Sequence, residues 1–336
     1  MNKHYLLFDI SNIARMAWHV HDKEDDDVVA GMAIDVTLKM LNKYYNKFLP
    51  DEIILAYDRP NWRKDYTMSN KCVSGKLYKG DRELKLTQSE KVRLDIFRET
   101  IADFENLIRE HSSVICLAAD GCEADDLIAG FCQTYSEDID ITIISSDKDY
   151  VQCLTNNNVK LLNPMTQKYR TLEEWDDSIE WNLFVKCIRG GEDNIQSAYP
   201  RIFLKKLKIA FDDPYEMTNV MQHTWNHPNG KTFLVEDLFK ENQLLMDLTK
   251  QPDHIKQIMA DAIEHGLNNR SKFSLFKFVK WCGNHDLKKI VKDVSRYTDM
   301  LSNNSRQSIS GNSKFVGAGV ELSDVTDEDT LPPLVE

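Results

Sequence analysis

Four short apolar runs, HYLLF at 4–8, EIILAY at 52–57, SVICLA at 113–118 and ITIIS at 141–145, are separated by longer segments in which apolar positions recur every three or four residues. Runs of that length bounded by polar residues read as buried strands, and the segments between them as amphipathic helices. Val28 to Phe48 reads as one helix with Met32, Val36, Met40 and Tyr44 along one side. Ala124, Leu127, Ile128 and Phe131 follow the i, i+3, i+4, i+7 spacing of another. This alternation predicts an α/β fold, a mainly parallel central sheet with helices on both faces. From about Trp181 the strand pattern fades, and helical stretches dominate to about Leu301. The remainder is rich in Ser, Asn, Gly and acids and is expected to be disordered. The organisation expected is therefore an α/β domain over 1–180, a helical region over 181–301 and an acidic tail over 302–336.

Composition fits a globular chain: 336 residues, 42% hydrophobic and 29% charged. No apolar run approaches a membrane span, and the N-terminus MNKHYLLFDIS turns acidic too soon for a signal peptide. Seven cysteines form no CxxC pair and leave an odd count, which points to reduced thiols filling a core in a cytoplasm. A net charge of -12 speaks against a nucleic-acid partner until its distribution is considered. Between Arg59 and Arg93 lie ten bases (Arg59, Arg63, Lys64, Lys71, Lys76, Lys79, Arg82, Lys85, Lys91 and Arg93) against four acids. That segment is basic inside an acidic chain.

The acids fall at particular places on this scheme. Asp9 follows the first strand, Asp58 the second, Asp120 with Glu123, Asp125 and Asp126 the third, and Asp147 with Asp149 the fourth. In an open parallel sheet the carboxyl edge is where ligands bind, so these residues converge on one cleft. Clustered carboxylates repel unless protons or cations compensate, and Mg²⁺, a hard ion that takes oxygen ligands, suits such a ring. Two ions about 4 Å apart serve phosphodiester hydrolysis. Each acid also has a plain reading: a helix cap or turn for Asp9 and Asp58, a helix-dipole partner for CEADD, a solvated loop for DKD. It is their joint placement that favours the metal. His19 and His21 show no partner pattern and read as surface or core residues.

The order FDIS, AYDRP, YKGDR, EADD, SSDKD and EDN resembles the 5′-nuclease superfamily, which includes flap endonucleases and the 5′-nuclease domains of bacterial DNA polymerases, and within it the ribonuclease H branch of T-even bacteriophages. The similarity runs from about Met1 to Leu301. It implies a metal-dependent 5′-to-3′ exonuclease and flap endonuclease that removes RNA primers, using two Mg²⁺ ions with Mn²⁺ as a substitute. One metal would sit among Asp9, Asp58, Glu123 and Asp125, the second with Asp147, Asp149 and Asp193, and Asp125 or Asp126 near both. Lys79 and Arg82, on one face of a helix, would neutralise the scissile phosphate, with Tyr78 stacking on a terminal base. The basic segment 59–93 would form an arch over the active site, with Arg59, Arg63, Lys64 and Lys76 contacting nucleic acid and Trp62 and Tyr66 as stacking or packing residues.

Arg201, Lys205, Lys206 and Lys208 are candidate duplex contacts in a helix-turn-helix-like element. The family pattern GDxxDN is altered here to GGEDN, one residue short, with Glu192 in partial place of the missing Asp and without the glycines of a potassium site. Partners implied are DNA and RNA-DNA duplexes with 5′ ends or flaps, a single-strand-binding protein and a sliding clamp. The chain would act as a monomer away from membranes, in the host bacterial cytoplasm if phage-encoded. Two rivals are a haloacid-dehalogenase-type phosphatase, which needs an Asp where this chain has Ser11, and a DNA-binding protein of the same fold that has lost catalysis.

Overall fold

The computed structural model describes residues 2–20, 25–172 and 178–302. His21 and the tail expected after residue 302 lie outside them, as does the side chain of His19. The chain begins with β1 (Lys3–Asp9), α1 (Ile10–Val20), α2 (Asp26–Phe48), β2 (Glu52–Ala56), α3 (Trp62–Met68), α4 (Gly80–Leu84), α5 (Gln88–His111) and β3 (Ile115–Leu117). It continues with α6 (Ala124–Tyr135), β4 (Ile139–Ile144), a 3-10 turn over Asp149–Cys153, β5 (Val159–Leu162), β6 (Tyr169–Arg170) and α7 (Ile179–Arg189). A second 3-10 turn, Glu192–Asn194, leads to α8 (Leu204–Asp212) and α9 (Pro214–Met221), then the hairpin of β7 (Thr224–Asn226) and β8 (Thr232–Leu234). The helices α10 (Val235–Met246), α11 (Asp253–Asn268), α12 (Leu275–Asn284), α13 (Lys288–Lys292) and α14 (Ser295–Ser302) follow.

The main sheet has the order β3-β2-β1-β4-β5-β6. All neighbours pair in parallel except β6, which closes the edge antiparallel to β5. The α/β expectation is met, because strands buried on both faces must be apolar without interruption. Leu6, Phe8 and Leu55 enter a core shared with α2 and α5, while their neighbours Leu7, Ile54 and Ala56 enter a second core shared with α6 and α11. The pattern missed β5 and β6, which are short and partly polar, and the hairpin within the helical region. All seven cysteines are free and six are buried, as core filler should be. Among the described residues no helix is long and apolar enough to cross a membrane.

Packing does not divide at residue 180. Phe278, Cys282, Tyr297 and Met300 of α12 and α14 return to the core that holds β1 and α2. Among the described residues after 180, the excursion from α7 to α10 has a core of its own, built on Trp181, Phe184, Leu207, Phe233 and Leu238. The helix α11 lies so close to β3 that a Cβ on Gly266 would stand 2.6 Å from Leu117 and 3.0 Å from the Cys116 carbonyl. We therefore expect Gly266→Ala to cost about 1–3 kcal/mol of stability through overpacking, read as a lower urea midpoint with unchanged slope.

Candidate metal and nucleic-acid site

The strand order runs outward from β1 through β2 to β3 and then resumes at β4 on the other side of β1, so a crevice opens at the carboxyl ends of β1 and β4. Asp9 ends β1, and its two oxygens accept from Asn12 N at 3.0 Å and from the Tyr150 hydroxyl at 3.1 Å. Burial, together with the charges of Asp58 and Asp147, raises its carboxyl to about 7. Asp58, just past β2, accepts from Ala124 N at 2.9 Å and so ties the second strand end to the start of α6. Asp147 follows β4 and accepts from Asp149 N at 2.9 Å, and burial and the Asp149 charge raise its carboxyl as well. Asp125, in the first turn of α6, is pushed well above the ordinary range by burial, Asp126 and Glu123, against the opposing charges of Arg63 and Lys79. Carboxylates from β1, β2, β4 and α6 thus share one field.

Glu123 and Asp126 are differently occupied. Asp126 is fully buried and receives both guanidinium nitrogens of Arg63, at 2.7 and 2.8 Å, Gln251 Nε2 at 3.1 Å, and the backbone N–H of Glu123 at 3.2 Å. Asp126 thus closes a capping box with Glu123, and the expectation that it holds a metal is corrected, because both its oxygens are taken up by Arg63, Gln251 and the Glu123 N–H. Glu123 pairs with Lys79 Nζ at 2.6 Å and accepts from Tyr78 OH at 3.1 Å. Arg63 itself is 1% exposed, so the expectation that it touches nucleic acid is corrected: a guanidinium inside the core cannot reach a phosphate. Tyr78 and Trp62 are likewise buried, with Arg63 4.9 Å above the Trp62 ring and 5.9 Å from that of Tyr78, and they pack rather than stack on bases.

The basic segment therefore divides in two. Residues 59–79 are docked: Arg59 pairs with Glu105 at 2.6 Å, Asn194 Nδ2 donates to Leu77 O at 2.9 Å, and Lys79 N donates to Asp193 O at 2.8 Å. The part that stands clear is α4 with the first turns of α5, whose buried residues begin only at Phe97. Lys79 precedes α4 at φ 53° instead of sharing its face with Arg82, which corrects the helical spacing argument. Both still reach the acids, Lys79 on Glu123 and Arg82 on Asp193. Burial alone would lower the Lys79 pKa, but Glu123, Asp193 and Asp125 raise it on balance, so the amine is held as a cation. Lys64 and Lys76 are partly exposed on the docked part.

The GGEDN loop turns through positive φ at Gly190, Gly191, Asp193 and Asn194, and a Cβ on Gly190 would meet the Gln196 backbone at 2.8 Å. Asp193 thereby faces Tyr78 and Arg82, lining a small cleft with Asp125, Asp149 and Lys186. The Glu192 side chain lies outside what is described. Two residues were not foreseen: Lys186 of α7, whose Nζ sits 2.5 Å from Asp149, and Tyr150. The only hint of Lys186 was a base in the helix just before GGEDN. Tyr150 gave none, since an aromatic after DKD looks like core.

Among the described residues no three His, Cys, Asp or Glu side chains already form a metal cage. The donor chemistry nevertheless fits a hard divalent ion: Asp9, Asp58, Asp125 and Asp147 are oxygen donors in mutual repulsion, with neither His nor Cys among them. Arg201, Lys205 and Lys206 are exposed at the start of α8, which is joined to α9 through Asp213 alone. Lys206 and Lys208 also lie over the rings of Tyr199 and Trp181, at 5.6 and 5.0 Å.

The chain belongs to the 5′-3′ exonuclease family: the family's N-terminal resolvase-like domain matches residues 4–179. It is similar to the ribonuclease H of Enterobacteria phage T4, 28% identical over 265 residues, 74% of this chain and 82% of that protein. In fold it resembles the T5 D15 protein co-crystallized with metal ions, with TM-score 0.58 and 18% identity over 78% of this chain and 99% of that one. T5 5′-exonuclease with bound divalent zinc matches with TM-score 0.56, 18% identity and the same coverage.

Two outcomes follow from these electrostatics. Asp9 keeps its proton in the folded state up to about 7 against 3.8 ordinarily, so its contribution to stability is present at low pH and is lost as pH rises through that window. Metal-free protein should melt at a lower temperature at pH 8 than at pH 5.5, and Asp9→Asn should flatten that dependence. Arg63→Ala, which strands a buried carboxylate, should cost about 3–5 kcal/mol in chemical unfolding.

Proposed function

We propose that the protein is a divalent-metal-dependent 5′-nuclease that hydrolyses phosphodiesters at the 5′ ends of DNA and RNA-DNA duplexes and at 5′ flaps, with RNA-primer removal as its role. The observation that carries this is the convergence of Asp9, Asp58, Asp125 and Asp147 on one crevice, faced by Lys79 and Arg82. The T4 relative and the metal-bound T5 structures support the reading.

In this reading Asp9, Asp58, Glu123, Asp125, Asp147, Asp149 and Asp193 would hold two Mg²⁺ ions, or Mn²⁺ in their place, which would supply an activated water and positive charge at the leaving oxygen. Lys79, kept cationic by the acids around it, is placed to meet charge that builds on the scissile phosphate, and Arg82 with it. The exposed arm formed by α4 and the start of α5 guides the single strand. Arg201, Lys205 and Lys206 at the start of α8 take duplex phosphates. A single-strand-binding protein and a sliding clamp are the partners proposed for such an enzyme, and the bacterial cytoplasm its place of action.

The test is cleavage of a 5′-labelled flap duplex and an RNA-primed duplex in Mg²⁺ or EDTA, comparing the wild type with Asp147→Asn. Short 5′ products that require Mg²⁺ and vanish in the variant are expected; tight binding with no cleavage in any divalent ion would instead identify a DNA-binding protein disabled at the shortened GGEDN loop. Lys79→Ala should slow single-turnover cleavage by about 100-fold while duplex affinity changes little. Equal losses in both would reduce Lys79 to an ordinary phosphate contact.

A further inference from the structure

The helix α10 begins in the core of the excursion and ends in the core under the sheet, and two adjacent buried polar side chains on it reach the loop before Lys79 and the backbone on either side of the GGEDN loop. Glu241, 3% exposed, accepts from Val73 N at 2.5 Å and Ser74 N at 3.0 Å. Asn242, 0% exposed, donates to Cys187 O at 2.6 Å and Gln196 O at 2.8 Å. The first pair belongs to the loop that delivers Tyr78 and Lys79. The second brackets the GGEDN loop: Cys187 follows Lys186, and Gln196 closes the turn that presents Asp193. The end of the same helix accepts Arg63 Nε on Leu245 O at 2.8 Å and Gln152 Nε2 on Met246 O at 3.1 Å, the latter from the turn that begins at Asp149.

A buried carboxylate is costly unless its oxygens are met, and here they are met by backbone N–H groups of another segment. Glu241 thus makes the position of residues 73–74 part of the packing of α10. We propose that Glu241 is a positioning residue for Lys79 and Asn242 one for Lys186 and Asp193, so that α10 sets the cations of the cleft from the same excursion that carries α8 and α9. The role given to Lys79 rests on the nuclease reading above. The helix is in contact with α7 and α9, so a load taken up there is passed to the loops through these two side chains.

The test is Glu241→Ala beside Glu241→Gln, which keeps one acceptor oxygen. Val73 is exposed, so its N–H is rehydrated when released and the Ala variant should fold. We expect single-turnover cleavage at saturating flap duplex in Mg²⁺ to fall about 10-fold or more in Glu241→Ala, with duplex affinity in Ca²⁺ within about 2-fold and the Gln variant intermediate. Amide hydrogen exchange should quicken at Val73, Ser74 and Lys79 while β1 and α6 stay protected. Wild-type cleavage by Glu241→Ala, equal losses of rate and affinity, or unchanged exchange at Lys79 would each overturn the proposal. If the wild type itself cleaves nothing, the nuclease reading fails, while exchange at Lys79 still decides whether Glu241 holds that loop.

Discussion

A single guanidinium, that of Arg63, joins three parts of the molecule that have no covalent reason to meet. Its forked face takes Asp126 at the start of α6, its Nε takes the Leu245 carbonyl at the end of α10, and it leaves from α3 at the root of the basic segment. A buried ion pair repays its desolvation only when the geometry is good and the remaining donors are satisfied. Here the match is bidentate, the indole of Trp62 lies against the cation, and Gln251 and the Glu123 N–H complete the carboxylate. Because Glu123 and Asp125 share the first turn of α6 with Asp126, fixing Asp126 fixes the acids that follow the third strand into the crevice. Remove this contact and the arm, the helix start and α10 lose their common reference.

The charge of the crevice is divided by partner. Burial and neighbouring acids raise the carboxyls of Asp9, Asp125 and Asp147. Glu123, Asp193 and Asp149 are each matched by a base: Lys79 at the end of the docked loop, Arg82 of α4 and Lys186 of α7. The repelling acids suit hard cations and the bases suit phosphate, and the two sets are held by different backbone segments. An acidic chain can in this way offer phosphate a local welcome without a basic surface overall.

How much of this was legible follows from what the signal is made of. Strands β1, β2 and β4 were readable because burial on both faces demands unbroken apolar runs, and the acids were readable because each stands a few residues beyond such a run. A helical face whose core partner is another helix was readable too, as in α2 and α6. Orientation was not. Composition places Arg63 among ten bases, and nothing in its neighbours says that it alone turns inward to Asp126; that depends on the pairing of the 58–62 and 119–122 loops, where Trp62 N meets Gly121 O at 2.9 Å. Lys186 and Tyr150 were hidden for the same reason: each acts across more than 35 positions of sequence, on Asp149 and Asp9. The return of α12 and α14 to the first core is a matter of tertiary packing and leaves no local trace.

The excursion between α7 and α10 leaves and re-enters the body through two helices that lie against each other, and it keeps its own apolar centre. Its ends are therefore already close, and inserting or deleting residues inside it changes the entropy of closing that loop only slowly with length. Evolution is free to rebuild α8, α9 and the hairpin while the strand ends stay untouched. The GGEDN loop stands where that excursion meets the cleft, so a change of its length is felt by Asp193 before it is felt by any strand.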